Sequence, residues 1–107
     1  MKSIQTMTVI GAILFLMSGS GAWAQQDPKD VYLNKCATCH GPDGAAKTAM
    51  GKKLKIKGIR DVAGSINADA MINIVTNGKG QDMDAFGKQF SKDLIKGLVE
   101  YYRSLGK

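Results

Sequence analysis

The chain's only two cysteines and its only histidine lie within five consecutive residues, Cys36-Ala37-Thr38-Cys39-His40. Thiols three positions apart at the end of a helix lie near each other, so both can form thioethers with the two vinyl groups of one porphyrin. The histidine that follows them directly then faces the iron, for which imidazole is a good axial ligand. The CxxCH spacing is typical of covalent haem attachment. We therefore predict one covalently attached haem c per chain, bound through Cys36 and Cys39, with His40 as an axial iron ligand.

The N-terminus carries the three parts of a secretory signal peptide. Lys2 supplies positive charge, residues 9–17 (VIGAILFLM) are apolar, and Ala22-Trp23-Ala24 fits the small-x-small cleavage pattern. The apolar run is shorter than the ~20 residues that a membrane-spanning helix needs, and an uncleaved N-terminal anchor is the alternative. We predict a signal peptide over residues 1–24, one domain over residues 25–107, a periplasmic location and no transmembrane segment after cleavage.

Three other interpretations of the cysteine motif explain the residues in and around it less completely than haem attachment does. A zinc site needs four ligands, and the chain offers only Cys36, Cys39 and His40 as thiol or imidazole groups. A thioredoxin-like redox dithiol needs a strand before the motif, whereas a helix pattern precedes it. A disulfide is compatible with export but leaves His40 without a role. Because the chain has one histidine, ligation of the iron by two of its own histidines is impossible.

Two helices are predicted on either side of a glycine-rich segment. Asp27 and Pro28 begin the first, because Asp caps a helix N-terminus and proline at the first position loses no hydrogen bond; this helix extends to about Ala37. Asn67 is the predicted N-cap of the second, which ends at Asn77-Gly78. Its apolar residues recur at helical spacing: Met71, Ile74 and Val75.

A third helix begins after Ser91, a predicted N-cap. Two long loops, residues 41–60 and 78–87, separate the three helices, and loops of that length in a compact domain are usually functional. In the first loop LKIK alternates like a strand but is too short to establish one. The predicted core contacts of this loop are Leu54, Ile56 and Ile59. The predicted buried stripe of the third helix is Leu94, Leu98, Tyr101 or Tyr102, and Leu105.

These features, taken in order, resemble a small bacterial class I cytochrome c over nearly all of Asp27–Lys107. The resemblance implies an all-α cytochrome c fold, with three to four short helices around one covalently attached haem, crossing terminal helices and a haem crevice between two loops. The residues that carry the resemblance are Val31-Tyr32, CATCHGPDG at 36–44, Asn77-Gly78-Lys79-Gly80, Met83 with Ala85-Phe86, Leu94, and Tyr101-Tyr102-Arg103.

The resemblance also implies a second axial ligand. The family places a methionine thioether opposite the histidine, from the loop before the last helix, and Met83 matches this position. Met50, close in sequence to His40, is the alternative ligand, whereas Met71 fits the apolar stripe of its helix.

The residue after Met83 departs from the family pattern, because Asp84 stands where proline is usual. Proline would restrict φ and stiffen the loop, so we expect a looser loop here. Asp82 and Asp84 also place negative charge beside the ligand. Negative charge favours ferric iron and should lower the reduction potential, unless solvent screens it.

A basic segment lies between Asp43 and Asp61. It contains no acidic residue and six basic ones: Lys47, Lys52, Lys53, Lys55, Lys57 and Arg60. A solvated loop is one interpretation; the other is a positive rim that speeds encounter with a redox protein whose docking face is acidic. The formal charge of +6 also favours an anionic partner. Export, and the lack of a recognised binding module, argue against nucleic acid.

These residues predict a single-electron carrier of a periplasmic redox chain and not an enzyme. Iron with both axial positions filled changes valence with little rearrangement and does not bind substrate. A peroxidase would need a distal acid–base group, and no second histidine exists to provide one. The alternatives are an electron-transfer subunit of a dehydrogenase or oxidase, and a haem ligand sensor with a displaceable sixth ligand.

Overall fold

The structure, a computed structural model, describes residues 26–107. The predicted signal peptide, residues 1–24, lies outside the described residues. Residues 26–107 contain no β-strand, only an isolated bridge between Lys79 and Met83. This part of the chain forms six helices: α1 Pro28–Lys35, α2 Ala37–His40, α3 Ala49–Lys53, α4 Ile59–Val62, α5 Ala68–Asn77 and α6 Lys92–Ser104. The predicted all-α fold is confirmed. No helix in residues 26–107 combines the length and the apolarity that a bilayer crossing requires.

The three longest helices begin at the three predicted N-caps. The Asp27 carboxylate accepts a hydrogen bond from the Lys29 amide at 3.0 Å. The Asn67 side chain accepts from the Ala70 amide at 2.8 Å, and the Ser91 hydroxyl accepts from the Leu94 amide at 3.1 Å. Each cap satisfies an amide that has no partner inside its helix.

The remaining helices are single turns, too short to leave a periodic pattern in the sequence. α1 ends at Lys35, earlier than predicted, because Cys36 departs from helical geometry with φ −117° and ψ −30° before α2 begins. α3 lies within the segment predicted as a loop, residues 41–60, and α4 begins at the end of that segment. The LKIK segment forms no strand, since Lys55 has a φ of 58°, which is incompatible with extended backbone.

The terminal helices α1 and α6 pack against each other. Val31 and Tyr32 of α1 form a buried cluster with Leu94 and Leu98 of α6. Gly97 allows the close approach, because a Cβ at this position would lie 2.7 Å from Cγ of Pro28. The packing of the two chain ends brings α6 over the cysteine motif that follows α1.

A second buried cluster joins α6 to α4 and α5 through Ile59, Met71 and Val99. Ile95 and Val99 of α6 are each only 2% exposed, although the predicted stripe did not include them. α6 is therefore buried along two stripes, one against α1 and the other against α4 and α5. In the first loop Ile59 is buried as predicted, while Leu54 and Ile56 are half-buried.

Candidate haem site

The cysteine motif folds as a helical turn set off from α1 by a kink. The Cys36 amide donates to the Tyr32 carbonyl at 2.8 Å and ends α1, and the His40 amide donates to the Cys36 carbonyl at 2.9 Å across α2. Both thiols are free and half-buried. Positions 36 and 39 are three apart on this turn, so their side chains share one side of it. Cys36, Cys39 and His40 are thus brought together by a single short element.

His40 is mostly surrounded by protein. Its ring meets the Tyr102 ring edge-on, with centroids 5.1 Å apart. Burial lowers the pKa of His40, so the imidazole is neutral at pH 7, the form that ligates a metal. Its buried Nδ1 has no hydrogen-bond partner within residues 26–107. A buried polar atom without a partner is costly, so a ring committed to a cofactor fits this site better than an ordinary core histidine.

The Cys36 thiol differs from that of a reactive redox dithiol or of a metal-binding cysteine. Burial, with a smaller contribution from Cys39, raises the pKa of Cys36 to about 11. This thiol is therefore protonated at neutral pH. Reactive redox dithiols and metal-binding cysteines instead have lowered pKa values, because the thiolate is the reactive form.

Two hydrogen bonds from the following loop, here called the Ala46–Thr48 clamp, hold the C-terminal end of α2. The last carbonyls of a helix lack intrahelical partners. Here the Ala46 amide donates to the His40 carbonyl at 2.8 Å, and the Thr48 hydroxyl donates to the Cys39 carbonyl at 3.2 Å. The same hydroxyl accepts from the Gly51 amide at 2.9 Å and so caps α3. A Cβ on Gly51 would lie 2.5 Å from the Ala46 and Cys39 carbonyl oxygens, so only glycine lets α3 lie directly on α2.

Met83, the second axial ligand implied by the resemblance, is half-buried in the loop between α5 and α6. The Lys79 amide donates to the Met83 carbonyl at 2.9 Å, and the Met83 amide donates back at 3.2 Å. This pair closes a tight turn immediately before Asp84. Asp82 and Asp84 are both exposed, so solvent screens the effect of their charge on the iron.

The other two described methionines occupy different surroundings. Met71 is 6% exposed and belongs to the α4–α5–α6 cluster, and its sulfur lies 3.7 Å from Nη1 of Arg103. Met50 is 38% exposed on α3. Met71 is therefore a core residue, as its helical spacing predicts.

Comparison with known proteins decides what this arrangement is. Residues 24–101 match the sequence model of the family described as cytochrome C oxidase, cbb3-type, subunit III. The chain belongs to this family. Its all-α structure is that of a small monohaem class I c-type cytochrome, and haem c is its covalently bound cofactor, as predicted from the CxxCH motif.

Two curated relatives resemble this cytochrome. The cbb3-type cytochrome c oxidase subunit FixP of Azorhizobium caulinodans is 34% identical over 77 residues, which are 72% of this chain and 26% of the relative. The cbb3-type cytochrome c oxidase subunit CcoP of Azospirillum brasilense is 29% identical over 87 residues, 79% of this chain and 30% of the relative. This cytochrome thus spans between a quarter and a third of the length of these relatives.

A solved structure shares the fold. The KustC0563 c-type cytochrome superposes with a TM-score of 0.70 at 26% sequence identity, and the match covers 77% of this chain and 100% of that one. The similarity therefore extends over an entire small cytochrome and not only over its motif.

An aromatic cluster beside the motif was not recognised as part of the site from the sequence. The Tyr32 hydroxyl donates to the Gly41 carbonyl at 2.6 Å, and its ring lies 5.3 Å from the Tyr101 ring and 5.9 Å from the Tyr102 ring. Burial raises the pKa values of Tyr32 and Tyr102, which keeps both phenols neutral. The cluster ties α1, the residue after His40 and α6 into one unit. In the sequence, Tyr32 and the Tyr101-Tyr102 pair stood out only as residues that match the family pattern.

We expect Thr48→Val to destabilise the protein by about 1–2 kcal/mol. The substitution removes the cap of α3 and leaves the Cys39 carbonyl without its donor, each worth about 1 kcal/mol. In a domain of this size, a loss of 1 kcal/mol lowers Tm by roughly 4–8 °C. Thermal unfolding of the haem-containing protein, followed by circular dichroism, measures the change. Thr48→Ser is the matched control because it keeps the hydroxyl; equal melting of the two variants would disprove the clamp.

Proposed function

We propose that this cytochrome is a periplasmic single-electron carrier, without a catalytic role of its own, whose iron has both axial positions filled. Cys36 and Cys39 would hold the haem by thioethers, and His40 and Met83 would ligate the iron. Bound haem c supplies a reversible one-electron change between ferric and ferrous iron. The observation that carries the assignment is the half-buried, neutral His40, whose buried Nδ1 has no partner within residues 26–107 and which directly follows two free thiols on one helical turn.

The chain's own residues favour a closed site over a catalytic one. His40 is the only histidine, so no second imidazole exists to act as a distal acid or base. The tyrosines beside it have raised pKa values and hold their protons at neutral pH. Met83 lies in a loop whose turn is closed by two backbone hydrogen bonds, which suits a ligand that stays in place when the iron changes valence.

The basic segment supports docking of an acidic redox protein near the haem motif. All six of its basic side chains are exposed. Three of them, Lys47, Lys52 and Lys53, lie in or directly before α3, which rests on α2 through the Thr48 and Gly51 contacts. Positive charge is therefore concentrated next to the haem-attachment turn, where it can speed encounter with an acidic face.

Charge reversal at Lys52, Lys53 and Lys55 should slow electron exchange with an acidic redox protein at least about tenfold at low ionic strength. The wild-type rate should fall as salt is added, because screening shortens the reach of the field. Stopped-flow measurement of the bimolecular rate across a salt series tests both effects. The matched control reverses Lys88, Lys92 and Lys96, which are also exposed but lie outside the basic segment. Equal effects of the two triple variants would mean that only net charge matters.

A second candidate, an electron-transfer subunit of an oxidase, is favoured by the family and by two relatives that are cbb3-type oxidase subunits. Affinity purification of the tagged chain from its native cells, in mild detergent and from both soluble and membrane fractions, separates the two. A stoichiometric oxidase complex in the membrane fraction would establish the subunit. A free haem protein in the periplasmic fraction would establish the carrier.

A further inference from the structure

The loop that carries Met83 lies across the C-terminal end of α5. The Phe86 amide donates to the Val75 carbonyl at 2.9 Å, and the Gly87 amide donates to the Thr76 carbonyl at 3.0 Å. The last carbonyls of a helix have no hydrogen-bond donor within the helix. The loop supplies amide donors to two of these carbonyls in α5. The segment after Met83 is thereby attached to a helix whose Met71 is buried in the core.

Gly78 lets the other end of the loop lie directly on α5. It follows α5 with a φ of 80°, a conformation that favours glycine. A Cβ at this position would lie 2.8 Å from the Met83 carbonyl oxygen and 2.9 Å from the Ala85 nitrogen. The backbone on both sides of Asp84 therefore rests against Gly78 at a distance that no other residue permits.

Gly87 makes the second close contact without unusual backbone geometry. A Cβ on Gly87 would lie 2.9 Å from both the carbonyl oxygen and Cγ2 of Thr76, and Gly87 is not among the described glycines with positive φ. The two glycines thus hold the loop against α5 before and after Met83. Nothing comparable constrains Gly80, whose φ is 59° but whose Cβ would meet no atom within 4 Å.

We propose that Gly78 and Gly87 are positioning residues that keep the Met83 thioether in place, in a chain where Asp84 replaces the stiffening proline. The proposal rests on the proposed role of Met83 as iron ligand. Two backbone contacts and four backbone hydrogen bonds limit the conformations of residues 78–87, so the thioether loses little freedom when it binds. If either contact were lost, the Met83 thioether would dissociate from the iron more often, and the state without a bound thioether would be more populated.

The test compares Gly78→Ala, Gly87→Ala and Gly80→Ala in the purified, haem-containing protein. The measurements are the sulfur-to-iron charge-transfer band of the ferric form and the rate of carbon monoxide binding to the ferrous form. We expect Gly78→Ala and Gly87→Ala to weaken the band and to raise the carbon monoxide rate by about tenfold or more. Gly80→Ala places a strained alanine at positive φ without any close contact, so it measures backbone strain alone and should change the band and the rate much less than Gly87→Ala does. Gly87→Ala disturbs a close contact at a residue without positive φ. Comparison of Gly87→Ala with Gly80→Ala therefore separates the effect of lost packing from the effect of backbone strain.

Met83→Ala, prepared in parallel, separates failure of this proposal from failure of the ligand assignment. If Met83→Ala keeps the band, Met83 is not the ligand and the proposed function is wrong at that point. If Met83→Ala abolishes the band while Gly87→Ala keeps both the band and the wild-type carbon monoxide rate, the positioning proposal is overturned. Gly87→Ala decides the matter even if circular dichroism shows that Gly78→Ala does not fold.

Discussion

Replacing Met83 by alanine should abolish the sulfur-to-iron charge-transfer band, open the iron to carbon monoxide and lower the reduction potential. A thioether is a soft ligand that favours ferrous iron, and methionine ligation raises haem potentials. Axial ligands and surroundings together move these potentials over roughly 0.8 V, so we expect a fall on the order of 0.1–0.2 V. Absorption spectroscopy of the ferric protein, carbon monoxide titration of the ferrous protein and a redox titration measure the three effects.

The other two methionines of the described chain serve as controls for this experiment. Met50→Ala alters only an exposed side chain and should change neither the band nor the stability. Met71→Ala should keep the band but destabilise the protein by about 2–5 kcal/mol, because it leaves a cavity in a buried cluster. Loss of the band in Met50→Ala, or ready carbon monoxide binding by the wild type, would contradict Met83 as a ligand that closes the site. The second result would favour a haem ligand sensor.

Replacing both Cys36 and Cys39 by alanine should yield a chain without covalent haem that is largely unfolded. The wild-type mature chain should keep one haem after denaturation, and each single variant at most one thioether. Residues 26–107 bury few apolar side chains on their own: Val31, Tyr32, Ala46, Ile59, Met71, Leu94, Ile95, Leu98 and Val99. A cofactor that adds to so small a core and binds only the folded state stabilises that state strongly.

Mass spectrometry of the denatured chains and circular dichroism of the double variant test this expectation. Thr38→Ala is the matched control, because Thr38 lies between the cysteines, is exposed and should not affect attachment. A denatured wild-type mass equal to that of the bare polypeptide would refute covalent attachment. A cooperative, native-like thermal transition in the double variant would show that the polypeptide core is sufficient without haem.

The features that sequence alone predicted correctly depend on residues close together in the chain. Asp27, Asn67 and Ser91 cap helices by hydrogen bonds to amides two or three residues away, so residue type and position are enough to recognise them. The CxxCH motif is equally local, because its spacing alone places two thiols and an imidazole on one turn. The haem cofactor and the all-α fold follow from such local signals.

The second buried stripe of α6 was not predicted. Helical spacing shows which residues share a face of the helix, but it does not show whether another element packs against that face. Ile95 and Val99 were as apolar as the predicted Leu94 and Leu98. They are buried because α6 packs between α1 and the α4–α5 unit, and that arrangement is decided by the whole chain.

The amino-acid sequence by itself thus determined the cofactor and the N-terminal limits of the three longest helices, because each depends on residues close together in the chain. Only the tertiary structure decided how the site is supported. Thr48 reaches the Cys39 carbonyl across nine residues, and Arg103 donates to the Ile66 carbonyl across 37 residues at 2.7 Å. Gly78 and Gly87 touch the Met83 loop and the end of α5 at distances fixed by how these backbones pack. Such contacts leave no pattern in a single sequence, since any small or polar residue is compatible with many partners until the chain has folded.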